Sequence, residues 1–336
     1  MKFKKGVLIG LITIPVFMVS CKDSRDQQKT EVNEDALEIV KEKTNAEISI
    51  KREGNWEGRK YIGGFFKNVA ELEVPKNHTD HSDFIRYEGP GWENSRVGYR
   101  LYLDWRNAID IFGKKTDTLV LAQVGNENSG SYHEEAPWGM DILKAGESLG
   151  IGGFGRFMND SVAHFRKVEK TFIRIDNTES YSKVGIKYSG WTTGEETIDI
   201  YSTFTIFPED RFTEVKLSPS KEVEGLCTGI VKFDDVELIH RKSDDGKWGY
   251  IATYGLQTLV NEKDKLGMAI FYKINEVQEI KDGPHDHLII FKPNTNEITY
   301  YFLGAWEKEK RGIKKQSDFV KDLNEKLGVL DIKGSL

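Results

Sequence analysis

The chain has 336 residues, of which 48 are Lys or Arg and 54 are Asp or Glu, for a formal net charge of −6. An acidic chain of this kind should not bind nucleic acid or anionic lipid non-specifically. It holds only two cysteines, which excludes a disulfide framework and a thiolate metal cluster.

The first 20 residues have the pattern of an export signal. A start with three lysines leads into the apolar run Gly6–Val19, which is shorter than the roughly 20 residues of a membrane span. Ser20 then precedes Cys21, and this order resembles the lipobox of bacterial lipoproteins. The resemblance implies that Cys21 is lipidated and anchors the protein to the cell envelope, at the outer membrane on its periplasmic or surface side. The alternative is an ordinary secretory signal with an incidental cysteine.

A polar tether over residues 21–45 and one domain over residues 46–336 are expected to follow. Eighteen Phe, thirteen Tyr and seven Trp against eight Pro are typical of a folded, strand-rich, saccharide-facing protein. Alternating strands predict an all-β, large antiparallel β-sandwich. A continuous apolar run predicts a buried strand at Thr118–Val124. One short C-terminal helix should begin after Ser317 as N-cap and stop at Gly328.

The stretch Trp92–Lys115 reads as a strand with period two that continues to Arg106. Apolar residues point to one side, namely Val97, Tyr99, Leu101, Leu103 and Trp105, and polar residues to the other, namely Arg96, Arg100, Tyr102, Asp104 and Arg106. Guanidinium groups bind carboxylate or sulfate through a planar fork of donors, so this face could line a site for an anionic ligand. The alternative is an exposed strand with cross-strand ion pairs.

A second stretch, Ser131–Lys144, concentrates chemically active side chains in a loop, where catalytic groups commonly lie. Tyr132 and His133 are candidate proton-transfer groups, and Trp138 could stack on a sugar ring. The alternative is that Tyr132 and Trp138 pack against the core while His133 bonds to the backbone.

Two histidine pairs invite a metal hypothesis. His78 and His81 lie in a loop with two aspartates, and His285 and His287 flank Asp286 at the start of a strand. A solvated loop and edge-strand polar residues are the favoured interpretations, so these four are weak candidates for a divalent metal. The lone Cys227 is expected to be a buried apolar residue.

Two resemblances refine this picture. The succession of long strands is similar to the β-supersandwich of galactose-mutarotase-like domains. Gly91–Lys114 and Tyr132–Lys144 resemble a family of bacterial lipoproteins catalogued as a domain of unknown function and encoded beside polysaccharide-degrading enzymes. The resemblance implies a carbohydrate-active dehydratase, a lyase that removes water from the unsaturated uronic acid at the non-reducing end of ulvan-type oligosaccharides.

Such an elimination needs a base, an acid for the departing hydroxyl and cations for the carboxylate, but no cofactor. His133 is the predicted base and Tyr132 the predicted acid, since parity places Tyr99 on the apolar face. Arg100 is the third predicted catalytic residue, and together with Arg96 it would hold the carboxylate. The remaining candidates are substrate-binding residues, namely Arg96, Trp138 as sugar platform, Glu93, Asp104 and Asp141 as orienting groups, and Lys144.

Two alternatives stay open. A glycoside hydrolase would use a carboxylate pair drawn from Glu93, Asp104, Glu134 and Asp141. A surface glycan-binding lipoprotein would hold an anionic oligosaccharide through its arginines and tryptophans without reacting.

Overall fold

The computed structural model describes residues 43–126, 131–259 and 264–336, which belong to one compact unit, Glu42–Leu336. The predicted export signal, Cys21 and most of the predicted tether lie outside the described residues. The last tether residues are already structured, because the first strand begins at Thr44. In the described part of the chain, no helix is long and apolar enough to cross a membrane.

Strands are the predominant secondary structure of the described residues. The first half contains β1 (Thr44–Glu47), β2 (Ser49–Glu57), β3 (Lys60–Asn68), β4 (Glu71–Glu73), β5 (Gly91–Asn94), β6 (Val97–Leu101), β7 (Ile109–Lys114), β8 (Gly139–Asp141), β9 (Ile151–Met158) and β10 (Ser161–Ala163). The second half contains β11 (Lys170–Asn177), β12 (Ser182–Thr193), β13 (Glu196–Ile206), β14 (Thr213–Pro219), β15 (Leu226–Val231), β16 (Leu238–Lys242), β17 (Trp248–Leu256), β18 (Lys265–Lys273), β19 (Val277–Asp282), β20 (Asp286–Phe291) and β21 (Ile298–Trp306), followed by the helix α1 (Gln316–Lys333).

These strands form antiparallel sheets. A nine-stranded sheet has the order β16-β17-β18-β21-β14-β13-β12-β11-β4, and two five-stranded sheets have the orders β1-β5-β6-β7-β8 and β10-β9-β15-β20-β19. β2 and β3 pair as a separate hairpin. One hydrophobic core joins the three large sheets, with the two smaller sheets facing the large one. The predicted all-β, large antiparallel sandwich is therefore confirmed.

The nine-stranded sheet is apolar on both faces. On β21, for example, Tyr300 and Phe302 point into the sandwich core, while Tyr301 and Leu303 point outward and pack against the helix. α1 covers this outer face with buried residues at helical spacing, namely Phe319, Leu323, Leu327 and Leu330. Each buried side chain of this size contributes about 1.5–3 kcal/mol.

The C-terminal helix exists as predicted, but both of its ends were predicted wrongly. It begins at Gln316 after Lys315, and it runs past Gly328 to a left-handed Gly334. A glycine inside a helix costs about 1 kcal/mol. Burial of Leu330 beyond it offsets that cost, so the helix continues as long as it can pack on the sheet.

The central strand is shorter than predicted and buried on both faces. β6 ends at Leu101, and all five of its residues are buried. The chain then turns, with the Asp104 carboxylate accepting the Arg106 N–H at 2.8 Å and with Asn107 at a positive φ of 51°. The polar face that was predicted to line a site for an anionic ligand is buried instead, because the Arg100 side chain is enclosed and bonded to Asp110 and Asp141.

Thr118–Val124 is not a strand. Val120, Leu121 and Val124 are buried as expected, but Leu121–Gln123 forms a short 3-10 helix. The N–H groups of Val120 and Leu121 bind the buried carboxylate of Glu93, each at 2.7 Å to Oε1. A side chain therefore satisfies the backbone donors that a neighbouring strand would otherwise have taken.

Candidate active site

Arg100, on strand β6, is the centre of a buried polar cluster. In the antiparallel pair of β6 and β7 it lies directly opposite Asp110, so the two side chains share one face. Its Nη2 donates to Asp110 Oδ2 and to Asp141 Oδ2, each at 2.9 Å. Its Nη1 donates to the Tyr132 hydroxyl at 3.1 Å and to the Tyr87 carbonyl at 3.0 Å.

This arrangement means that Arg100 cannot reach a ligand directly. Its side chain is completely buried, and the Tyr102 ring covers the guanidinium with its centroid 3.9 Å away. The Tyr102 hydroxyl accepts a further hydrogen bond from Nη2. Arg100 therefore holds neighbouring catalytic candidates in place rather than binding an anionic sugar itself.

The two buried carboxyl groups compete for the same cation. Burial raises the pKa of Asp110 to about 7, and the negative charge of Asp141 adds to the rise, while Arg100 opposes it. The carboxyl group of Asp110 therefore takes up a proton more readily than an exposed aspartate does.

Asp141 also supports the sequence-predicted base. His133 ends a short 3-10 helix, Ser131–His133, and its Nδ1 lies 3.2 Å from Asp141 Oδ2. The Asp141 side chain is fully buried, whereas that of His133 is 40% exposed. A buried carboxylate at Nδ1 fixes the ring and leaves Nε2, on the far edge of the imidazole, for proton transfer.

A second histidine–aspartate pair lies in the loop before β5. His81 Nδ1 is 2.7 Å from Asp80 Oδ1 and 3.7 Å from Glu88 Oε1. The backbone N–H of His81 donates to Glu88 Oε1 at 2.9 Å. His81 and Glu88 have positive φ values of 56° and 65°, a conformation that is strained for non-glycine residues and is often found at functional sites.

Guanidinium groups balance the charge of this second pair. Arg106 Nη2 donates to Asp80 Oδ1 at 2.6 Å and lies 3.8 Å from Glu88 Oε1. Burial by itself would raise the pKa of Glu88, but Arg100, the His81 N–H and Arg106 outweigh it and leave that pKa below its usual value.

Asp80, His81 and Glu88 also have the composition of a metal site, since their donor atoms all lie within 4.8 Å of one another. However, the guanidinium of Arg106 already supplies a positive charge to two of the three donors. A divalent ion there would be repelled at close range. The other three weak metal candidates have partners of their own, as His78 bonds to Ser82, His287 lies 2.6 Å from Asp282, and His285 lies 3.4 Å from Glu147.

Two cavities meet at these histidines. One, of about 580 Å³, extends toward the β2–β3 hairpin and is lined by Phe65 and Phe66. The other, of about 470 Å³, is lined by Arg106 and Lys144. The three residues that line both cavities are His81, Glu88 and His133.

The fold brings together only part of the predicted site. The two cavities are lined by Tyr132, His133 and Lys144, and the buried Asp141 lies beside His133. Arg96 does not join them, because it lines a separate cavity of about 170 Å³ with Arg211 and Arg311. The expected pairing of Arg96 with Arg100 on one ligand-binding face is therefore not observed.

The other predicted substrate-binding residues have structural contacts. Glu93 is fully buried and accepts a hydrogen bond from Lys114 at 2.6 Å. Asp104 holds Arg106 through two oxygens, each 3.0 Å from Nε. Trp138 is half-buried and packs edge-on against Phe112, with the ring centroids 5.9 Å apart. Of these three, only Asp104 influences the two cavities, and it does so through Arg106.

Sequence analysis missed Glu88 and Asp110 as members of the site, whereas it placed Arg106 on the polar face of the central strand. Glu88 lies in a short 3-10 helix before β5, and no local pattern shows that it contacts His81. Asp110 could have been found from a hairpin register that places it opposite Arg100, but that register depends on where the intervening turn falls.

Comparisons with known proteins identify the family of the chain and no activity. The family model of a domain of unknown function, DUF4861, matches residues 16–330. No curated protein matches the chain. Among solved structures, a chain assigned as a kojibiose phosphorylase from the human microbiome is similar, with a TM-score of 0.39 and 11% identity over 70% of this chain. The match spans 32% of that structure.

Proposed function

The chain belongs to the DUF4861 family, and we propose that it is a carbohydrate-active dehydratase that removes water from the unsaturated uronic acid at the non-reducing end of ulvan-type oligosaccharides. The observation that carries this proposal is the His133–Asp141 pair at the junction of two cavities. Family membership by itself assigns no activity, so the proposal depends on the chemistry of these side chains.

His133 is the proposed base. Its Nε2 takes a proton from a ring carbon next to the carbon that bears the departing hydroxyl. The electron pair of that C–H bond forms the new double bond, the C–O bond breaks, and the hydroxyl leaves as water after it receives a proton. Asp141 stabilises the imidazolium that forms, because its carboxylate lies 3.2 Å from Nδ1.

Two positively charged side chains that line the second cavity would hold the uronate carboxylate. Lys144 is exposed there, and Arg106 lies beside it with its side chain 13% exposed. Arg106 is fixed by Asp104 and Asp80, so its fork is oriented before a ligand arrives. Such preorganised charge stabilises negative charge that develops during elimination.

In the proposed reaction, Tyr132 positions Arg100 and Glu88 relative to each other. Its hydroxyl accepts from Arg100 at 3.1 Å and donates to Glu88 Oε2 at 3.4 Å. Burial raises its pKa to about 12. The phenol thus keeps its proton and connects the Arg100 cluster to Glu88.

The proposal includes a cellular location. Ser20-Cys21 would be processed as in bacterial lipoproteins, with palmitate or a related acyl chain on Cys21 holding the enzyme at the outer membrane. There it would act on oligosaccharides released during polysaccharide degradation.

Mass spectrometry tests the reaction directly. The full-length chain in detergent is incubated with lyase-generated unsaturated uronyl oligosaccharides from ulvan, beside a His133→Gln variant and a control, His240→Gln, on the exposed strand β16. Loss of one water that persists in the control and falls by about 10²–10⁴-fold in His133→Gln is expected. Split oligosaccharides would indicate a hydrolase, and bound but unchanged substrate would indicate a glycan-binding protein.

A further inference from the structure

The junction of the two cavities contains two histidine–aspartate pairs rather than one. His133 stands beside Asp141, with Nδ1 to Oδ2 at 3.2 Å, and His81 stands beside Asp80, with Nδ1 to Oδ1 at 2.7 Å. Both histidines line both cavities, and Glu88 is the third residue that does so. A ligand that spans the two cavities would therefore contact both imidazoles.

We infer that His81, held by Asp80, donates the proton that the departing hydroxyl receives, opposite His133 as the base. This inference rests on the proposed dehydratase function and adds to it the identity of the acid. The reaction remains balanced, because His133 gains the carbon-bound proton and His81 gives a proton to the departing hydroxyl. That hydroxyl then leaves as water. Proton exchange with solvent then restores both side chains.

Accessibility favours His81 over Tyr132 as the donor. The side chain of His81 is 75% exposed at the cavity mouth, whereas Tyr132 is only 5% exposed and its hydroxyl proton is directed to Glu88. Imidazole is also the side chain that most often transfers protons in enzymes.

The surroundings of His81 fix its orientation. Its backbone N–H is bound to Glu88 and its Nδ1 faces Asp80, so two carboxylates hold the ring and its backbone. Arg106 in turn ties Asp80 to the Asp104 loop. The same relation of an exposed imidazole to an anchored carboxylate is seen at His133, and in both pairs Nδ1 faces the carboxylate while Nε2 remains for transfer.

A leaving-group experiment separates acid from base. A hydroxyl needs a proton to depart, whereas an acetate ester at the same position leaves as a stable anion without one. Two unsaturated uronyl oligosaccharides, one free and one acetylated at the departing oxygen, are compared on full-length wild type, His81→Asn, Asp80→Asn, His133→Gln and His240→Gln. Asn suits position 81 because it tolerates the positive φ found there.

For His81→Asn, kcat/KM should fall by about 10²–10⁴-fold on the free substrate and by less than about tenfold on the acetylated one. For Asp80→Asn, kcat/KM should also fall more on the free substrate than on the acetylated one, but by a smaller factor. His133→Gln should lose activity equally on both substrates. His240→Gln should behave as wild type.

Equal losses of His81→Asn on both substrates, with circular dichroism unchanged, would overturn the assignment of His81 while leaving the dehydratase standing. Full activity of His81→Asn on the free substrate would overturn it as well. If wild type removes neither water nor acetate, the proposed function fails and the assignment of His81 fails with it.

Discussion

Asp286 shows how burial sets the protonation of a carboxyl group in this fold. The residue is 2% exposed at the start of β20, and its Oδ1 accepts the backbone N–H of Leu149 at 2.8 Å. Burial raises its pKa to about 7, against the opposing effects of that N–H and of the charge of Lys232. The ordinary pKa of an aspartate is about 3.9.

The raised pKa predicts a stability that depends on pH. Between about pH 4 and pH 7 the folded protein keeps a proton on Asp286 that the unfolded chain releases. The free energy of unfolding therefore falls as pH rises through this range and levels off above it. A difference of about 3 pKa units corresponds to about 4 kcal/mol, and local relaxation around the charged form would reduce this to about half.

The variant Asp286→Asn retains an oxygen to accept the Leu149 N–H but cannot become charged. At pH 8 it should be more stable than wild type by about 2–4 kcal/mol, and at pH 4 the two should agree within about 1 kcal/mol. Urea unfolding followed by circular dichroism at several pH values measures the difference, with Asp244→Asn on an exposed turn as control. A difference that does not vary with pH would refute the reasoning.

Three further predictions concern the polar cluster, the helix and the proposed anchor. Arg100→Met should lower the free energy of unfolding by about 3–5 kcal/mol in urea titration, because Asp110 and Asp141 lose their buried cation; unchanged stability would contradict the buried-cluster description. Leu323→Ala should cost about 2–5 kcal/mol by the same assay, since the side chain is fully buried between α1 and the sheet. Cys21→Ala should abolish palmitate incorporation and release the protein from the membrane fraction, and retention of labelled acyl chain would exclude lipidation at that residue.

Local patterns were sufficient for the architecture. Alternation with period two identified strands such as β13 and β14, and the observed register of this hairpin runs from Ile200↔Pro219 to Ile206↔Thr213. The apolar pattern predicted a strand wrongly where a side chain accepts the backbone hydrogen bonds, as Glu93 does from Val120 and Leu121. It also failed where packing extended an element, as with α1 beyond Gly328.

Composition and motif grouping identified one half of the candidate site. Tyr132, His133 and Asp141 are close in sequence, and the structure keeps them together. The role of Arg100 could not be read in the same way, because a strand that is buried on both faces has the same period as one with an exposed polar face. Only the sheets and loops that pack on the two faces of the strand decide between these cases.

The sequence by itself determined that this protein is a strand-rich sandwich with a C-terminal helix and that Tyr132 and His133 lie near Asp141, because these properties depend on residues close together along the chain. The tertiary structure alone decided that Arg100 is buried, that Arg96 faces another cavity, and that His81 and Glu88 meet His133. His81 and His133 come from loops far apart in the chain, so their meeting depends on the packing of the sheets and loops between them.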